Sequence, residues 1–171
     1  TATVAVSVAP DNDRPVVGVI YIPATYEMVF AARGKGCWYI RNTLPAMQVH
    51  VKRVEKLSQA YCSSAGPHSS DILPPRSGPQ FNLGSYIRGA GRFRFISDCL
   101  QHALVCRGRI QAALDAVMKP WDSAALIPCI EEAGGMATTA TGEVNGVVFG
   151  GSLLSSCGGP LHQEIIGVLN S

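Results

Sequence analysis

The 171-residue chain is 47% hydrophobic and 15% charged, which excludes a disordered chain and fits one globular domain, or a large part of one, with a sizeable core. Fourteen Lys and Arg against twelve Asp and Glu give a formal net charge of +2, no electrostatic ground for nucleic acid or an anionic membrane as partner. No apolar run reaches the roughly 18 residues that span a bilayer, and the opening TATVAVSVAP has neither a basic n-region nor a small-residue cleavage site.

The first forty residues alternate strand-like runs with turn signals: TVAVSVA, PDNDRP, VVGVIYI, PATYE, MVFAAR, GKG and CWYI. That order predicts a meander of antiparallel strands over residues 1–51. Gly34 and Gly36 bring a phosphate loop to mind, but GKG lacks the Walker spacing and has a strand rather than a helix after it, so a hairpin turn is expected. AYCSSA reads as a short buried strand. Residues 66–91 are rich in Gly, Pro and Ser and read as a flexible zone; its Arg88, followed by Arg92 and Arg94, fits either an anion site or a solvated loop.

From Phe93 onward strand and helix alternate: RFRFIS, DCLQHALVCRG, RIQAALDAV, the segment around Asp122, MATTATGE, the strand GVVFGGSLLSSC and a final helix GPLHQEIIGVLN. Helices are expected to start near Asp98, Asp122 and Gly159, in a layered α/β core. The six cysteines form no C-x-x-C pair and sit mostly in apolar runs, the pattern of buried small hydrophobes in a reducing, intracellular setting. The four histidines have no zinc-binding spacing.

The densest stretch is MKPWDSAALIPCIEEAGG, residues 118–135. Asp122 precedes a run with Leu126, Ile127 and Ile130 on one stripe and Gly134–Gly135 as a stop, so it reads as a helix N-cap. Capping would by itself account for an acid there, and equally for Asp98. Asp115, at the end of a strand, needs no more than contact with solvent.

The block W-D-x-A-A-L-I-P-x-I-E-E-A-G-G, with a strand ending in Asp115 before it, resembles the inositol monophosphatase-like family of Mg²⁺-dependent phosphatases, most of all its histidinol-phosphatase branch. G-V-I-Y-x-P, A-R-G-K-G-C-W, the S-D-C helix start and K-P-W-D extend the resemblance over nearly the whole chain. It implies an α/β fold of the α+β layered-sandwich kind, a β-meander followed by an α/β layered half. Residues 1–65 would be the C-terminal portion of the family's first, β-rich half and residues 66–171 its α/β C-terminal half.

The same resemblance implies the site. Asp122 would ligate a catalytic Mg²⁺, with Trp121 packed to fix the carboxylate. Arg94, Ser97 and Asp98 would lie beside the substrate on one strand-to-helix turn, and an acid at Asp98 suits a cationic amino alcohol better than a neutral polyol. Asp115, seven residues before Asp122, stands where an acid reaches the substrate in inositol phosphatases. Ile96 and Ser97 replace glycines common in the histidinol branch. The family's remaining metal acids, a glutamate pair and a D-P-x-D-G-T motif, do not occur in these residues, so the chain reads as the C-terminal part of a longer enzyme and as inactive alone. The expected parent is a homodimeric, intracellular phosphomonoesterase, cytoplasmic or plastidic, acting on histidinol phosphate. An inositol or sugar phosphate as substrate, or a non-catalytic binding module, are the alternatives.

Overall fold

Period-two alternation decides the first fifty residues. In the computed structural model, which describes residues 2–6 as backbone, 14–74, 80–96 and 98–171, five antiparallel strands form one sheet in chain order: β1 (Ala2–Val6), β2 (Val17–Ile22), β3 (Glu27–Ala32), β4 (Cys37–Arg41) and β5 (Met47–Val49). Along β2 the buried positions are Gly18, Ile20 and Ile22, while Val17, Val19 and Tyr21 face the other way, as a pleated strand with one core face requires. The meander expected from the sequence is therefore present. Residues 7–9 of its first run and 10–13 of the following turn lie outside the described residues.

GKG is the β3–β4 hairpin, and its amides are already occupied. The Glu132 carboxylate accepts from the Gly34 and Gly36 N–H groups, one oxygen each, at 2.7 Å. An anion-binding loop is thus filled from within, and part of the E-E-A-G-G motif is a strut between sheet and helix.

A second sheet, in the order β7-β6-β8-β10-β9, is built from β6 (Tyr61–Ser64), β7 (Arg92–Phe95), β8 (Ala112–Asp115), β9 (Met136–Thr138) and β10 (Leu153–Ser156). β6 pairs in parallel with β7 and β8, and β10 is antiparallel to β8 and β9. Five α-helical segments complete the fold: α1 (Leu83–Gly89), α2 (Asp98–Cys106), α3 (Pro120–Ser123), α4 (Leu126–Glu132) and α5 (Gly159–Leu169). α2 and α4 fill the space between the sheets, where Ile20 and Val29 meet Ala103, Leu126, Ile130 and Leu153. Each fully buried Leu or Ile there contributes about 1.5–3 kcal/mol of transfer free energy. α1 and α5 cover the far face of the second sheet with Leu83, Tyr86, Leu161 and Ile165.

The sequence reading needs three corrections. Within residues 66–91, the zone read as flexible, the chain forms α1 with Leu83 and Tyr86 fully buried. Asn82 caps it, its Oδ1 accepting from the Ser85 N–H at 3.0 Å, and the flanking glycines and prolines hid a helix of only seven residues. Residues 75–79 of that zone lie outside the described residues. The run read as one long strand over 146–157 is strand only at Leu153–Ser156, because Gly146 and Gly151 take left-handed φ of 67° and 73° and Val147–Phe149 form a 3₁₀ turn.

The third correction concerns Asp122, which is the third helical residue and not the cap. Pro120, whose fixed φ suits a first turn, starts α3 one turn early. Asp122 reaches back, and its Oδ2 accepts from the Lys119 N–H at 3.0 Å. The helix then breaks at Ala124–Ala125, since Pro128 has no N–H for the Ala124 carbonyl. The break lets the Ala125 carbonyl lie on β2, where a Cβ on Gly18 would come within 2.1 Å of it. Only glycine fits there.

Five of the six cysteines are buried, in line with their reading as small core residues. Among the described residues no helix is long and apolar enough to cross a membrane.

Candidate active site

Strands β6, β7 and β8 run the same way, and α2 joins β7 to β8 by crossing from one side of β6 to the other. α1, between β6 and β7, packs on the opposite face of the sheet from α2. The chain direction therefore reverses between β6 and β8, and a crevice opens outside their carboxyl ends, the place where open α/β sheets take ligands. Ser64 ends β6 there, its Oγ donating to the Gly66 carbonyl at 3.0 Å as the chain turns away. Asp115 ends β8 on the same edge, opposite Leu153 of β10.

Asp115 is half-buried. Burial raises its pKa to about 6; the Val117 backbone N–H lowers it, and the nearby Asp98 and Asp122 carboxylates raise it further. Three of the acids singled out in the sequence thus share one electrostatic field, although they come from β8, α2 and α3. Asp98 opens α2 with a left-handed φ of 52°, a conformation Asp tolerates better than most L residues, and its side chain is exposed.

Arg94 follows less closely. Its register partner is Ser63, whose Oγ donates to Gln101 of α2 at 2.8 Å, so Arg94 lies on the α2 side of the sheet. Its guanidinium donates to the Phe93 carbonyl at 3.0 Å and forms no ion pair with Asp98. Ser97 lies outside the described residues. Trp121 does not pack against the carboxylate as expected: it is 72% exposed, because in the first turn of a one-turn helix its side chain points away from the core.

The acids favour a cation without enclosing one. Burial and then the neighbouring carboxylates lift Asp115, and a positive ion would offset both. Asp122 is exposed with Oδ1 unbonded among the described residues, so it can offer that oxygen outward. Among the described residues no group of three His, Cys, Asp or Glu side chains is close enough to hold a metal ion. The donor set thus fits one side of a Mg²⁺ site, since this ion keeps several waters and takes one or two carboxylates.

Sequence reasoning missed the layer that carries this edge. Gln101 takes the Ser63 hydroxyl and gives its Nε2–H to the Leu114 carbonyl at 3.1 Å, one residue before Asp115. His102 Nδ1 meets the Ser155 hydroxyl at 2.7 Å. A polar pair in an apolar helix, QH in DCLQHALVC, was the available signal, since buried polar groups need partners.

Comparison with known proteins bears on the fold and the family. Over 156 residues the chain is 34% identical to a histidinol-phosphatase of Chlorobaculum parvum, covering 90% of this chain and 55% of that protein. It is 31% identical over 161 residues to a histidinol-phosphatase of Mycobacterium tuberculosis, covering 94% and 59%. The chain therefore spans a little over half the length of these relatives. The solved structure of a Thermotoga maritima IMPase superposes with a TM-score of 0.73 at 25% identity, over 92% of this chain and 57% of that one. With a family model matching from residue 1 to residue 169, and with the layered sheets and helices that those structures share, the chain belongs to the inositol monophosphatase family.

Proposed function

We propose that the chain is the C-terminal portion of a Mg²⁺-dependent phosphomonoesterase that hydrolyses histidinol phosphate in a reducing, intracellular compartment. The observation that carries this reading is the gathering of Asp98, Asp115 and Asp122 at the carboxyl ends of the parallel strands, with Asp115 lifted to a pKa of about 6. The family membership supports phosphate-ester chemistry, and the two histidinol-phosphatases support the substrate. Residues 1–65 would complete the β-rich half of the parent and residues 66–171 its α/β half. The remaining metal acids would come from the portion of the relatives that this chain does not span, which leaves the chain inactive alone, and the parent would work as a homodimer.

Asp122 would hold the Mg²⁺, which when bound polarises the phosphoryl group and lowers the pKa of a bound water. Its link to the Lys119 N–H fixes one carboxylate oxygen and leaves the other for the ion. Asp115, poised near physiological pH, can accept or return a proton at its carboxylate. Asp98 would face the ammonium of histidinol, and Arg94, swung away from the Phe93 carbonyl, would take a phosphate oxygen or steady Asp98.

The test is a paired assay of the parent enzyme and two variants on histidinol phosphate and inositol phosphate at one Mg²⁺ concentration. Asp122→Asn keeps the acceptor for Lys119 and should leave the fold intact while lowering turnover more than about 100-fold, the upper end of what even an outer-shell partner of a metal is worth. Asp98→Ala should lower kcat/KM for histidinol phosphate about 10-fold more than for inositol phosphate, as for a lost charge-assisted contact of about 1.5–3 kcal/mol. Near-normal activity of Asp122→Asn would reduce that residue to a helix-end ligand. A parent that prefers inositol phosphate would move the substrate to that class.

A further inference from the structure

The opposite end of the second sheet holds a cleft of about 410 Å³ that the reading above does not use. Its walls come from the amino ends of β6 and β7, the turn after α2 and the segment after β5. Lys52, Arg92 and Arg109 all line it. None of these three cations has an ion-pair or hydrogen-bonding side-chain partner among the described residues, where the one ion pair joins Arg107 to Glu27. Like charges around one cleft repel, and here no fold contact offsets the repulsion.

Gln111 adds a fixed donor. It is 7% exposed, and its backbone and side chain are bonded on every side but one. Its N–H donates to the Tyr61 carbonyl at 2.8 Å, its carbonyl accepts from Cys157 N–H at 2.9 Å, and its Oε1 accepts from Tyr61 N–H at 2.9 Å. The last bond fixes which end of the amide is which, because a backbone N–H can only donate. The Nε2 donors have no partner among the described residues, on a side chain that lines the cleft. The Nε2 end is not among the buried unpartnered atoms, so it opens onto the cleft, where a ligand acceptor can replace water.

The chain is drawn in around these groups. Gly108 takes a left-handed φ of 65°, and a Cβ there would lie 2.9 Å from the His50 carbonyl and 3.1 Å from Lys52 N. Glycine thus lets the Lys52 segment close against the turn that carries Arg109. The lining is polar nearly throughout and the volume falls in the range of small-ligand sites, so the complementary ligand is small, anionic and without a large apolar body.

We propose that this cleft is a binding site for a small polyanion with two phosphoryl groups, held by Arg92 and Arg109 as paired forks, by Lys52 as a point charge and by the Gln111 amide. Guanidinium groups bind phosphate oxygens in bidentate fashion, and two of them lining one cleft, from segments on either side of β6, suit a ligand with two such groups better than a single phosphate. The proposal does not depend on the histidinol-phosphate reading, because no residue is shared with the crevice at Asp115.

The probe is inorganic pyrophosphate, titrated calorimetrically into the chain at low ionic strength with EDTA present, so that the carboxylate-lined crevice has no cation to attract it. Pyrophosphate should bind, orthophosphate at least about 10-fold more weakly, and affinity should fall as salt is raised. The double variant Arg92→Gln, Arg109→Gln keeps both aliphatic stems and should bind pyrophosphate at least about 10-fold more weakly, with unchanged circular dichroism. Arg41→Gln, on β4 of the first sheet and absent from the cleft lining, should bind like the wild type. Absence of pyrophosphate binding at millimolar concentration, equal binding by the double variant, or loss of binding in Arg41→Gln would each overturn the proposal. Equal affinity for orthophosphate would overturn the two-group ligand.

Discussion

The two ends of the second sheet carry opposite charge, and the helices do not by themselves account for the contrast. At the carboxyl ends of β6, β7 and β8 stand Asp98, Asp115 and Asp122; at the amino ends stand Lys52, Arg92 and Arg109. Helix dipoles favour this sense, since α2 and α3 begin at the acidic end and α1 and α2 finish at the basic one. A dipole asks only for charges in the first or last turn, however, and Asp115 is in neither. It ends a strand and is half-buried, and it is pushed toward protonation first by that burial and then by its acidic neighbours. The acidic end therefore stores electrostatic strain, whereas the basic end carries exposed charge that water largely screens. Strain at a place where the fold does not need it is the better pointer to chemistry.

The largest expected effect lies between the two ends and shows how far either one sets the pH response. His102 and His162 flank β10 on its two faces, bonded to Ser155 and Ser156 at 2.7 Å each. Burial lowers the pKa of His102 to about 3 and that of His162 to about 4, and His102 Nε2 has no partner among the described residues. Both are held neutral in the fold, and the unfolded chain, with a histidine pKa near 6.5, binds more protons. Stability should thus be full above about pH 6.5 and lost as pH falls toward the folded values, by about 2 kcal/mol per histidine at pH 5. Urea unfolding at pH 7.5 and pH 5 should show a loss to which the two histidines contribute on the order of 4 kcal/mol, partly offset by Asp115, and His162→Gln should remove about half of the histidine contribution. A flat profile would mean that the ring nitrogens reach water.

That polar middle also marks where sequence was legible. The meander was, because Ile20 and Ile22 alternate with Val19 and Tyr21, and so was α5, where Leu161, Ile165 and Leu169 recur every fourth residue. Asp98, Asp115 and Asp122 could be named as candidates, yet their convergence could not, because it depends on the order of β7, β6 and β8, which no local pattern encodes. α1 was lost among glycines and prolines. The basic cleft was half-seen in Arg92, but Lys52 and Arg109 are far from it in sequence and only the sheet edge brings them together. The cap assigned to Asp122 shifted because Pro120 fixed the start of the helix earlier than the apolar stripe suggests.

The next effect is smaller and would sharpen the comparison directly. Asp115 has its folded pKa raised above the unfolded value near 3.8, so its contribution has the opposite sign to that of the histidines. Stability from this group is full below about pH 4 and is lost as pH rises through 6, leaving a cost on the order of 1–3 kcal/mol at pH 8. Asp115→Asn removes the charge and keeps an acceptor for the Val117 N–H. With EDTA present, the variant should unfold at higher urea than the wild type at pH 8 and lose that advantage at pH 4. A destabilised variant at pH 8 would mean that the carboxylate is satisfied in the fold and that the acidic end is not strained.

The smallest effect belongs to the basic end, and there the expected result is almost nothing. Arg92 and Arg109 are both exposed, and neither holds a carboxylate or carbonyl through its side chain among the described residues. Arg92→Gln and Arg109→Gln keep the stems that pack and remove the charges that repel. Each should shift the unfolding free energy by less than about 0.5 kcal/mol, the usual scale of surface changes, and relief of repulsion with Lys52 sets the sign toward stabilisation. A loss above about 1 kcal/mol would show that these cations hold the carboxyl ends of α1 and α2, and the charge at that end would then be explained by helix stability alone. A change near zero, beside a gain of 1–3 kcal/mol in Asp115→Asn, would separate the two ends as argued: one in which the fold tolerates strain, and one in which it carries charge that the fold does not use.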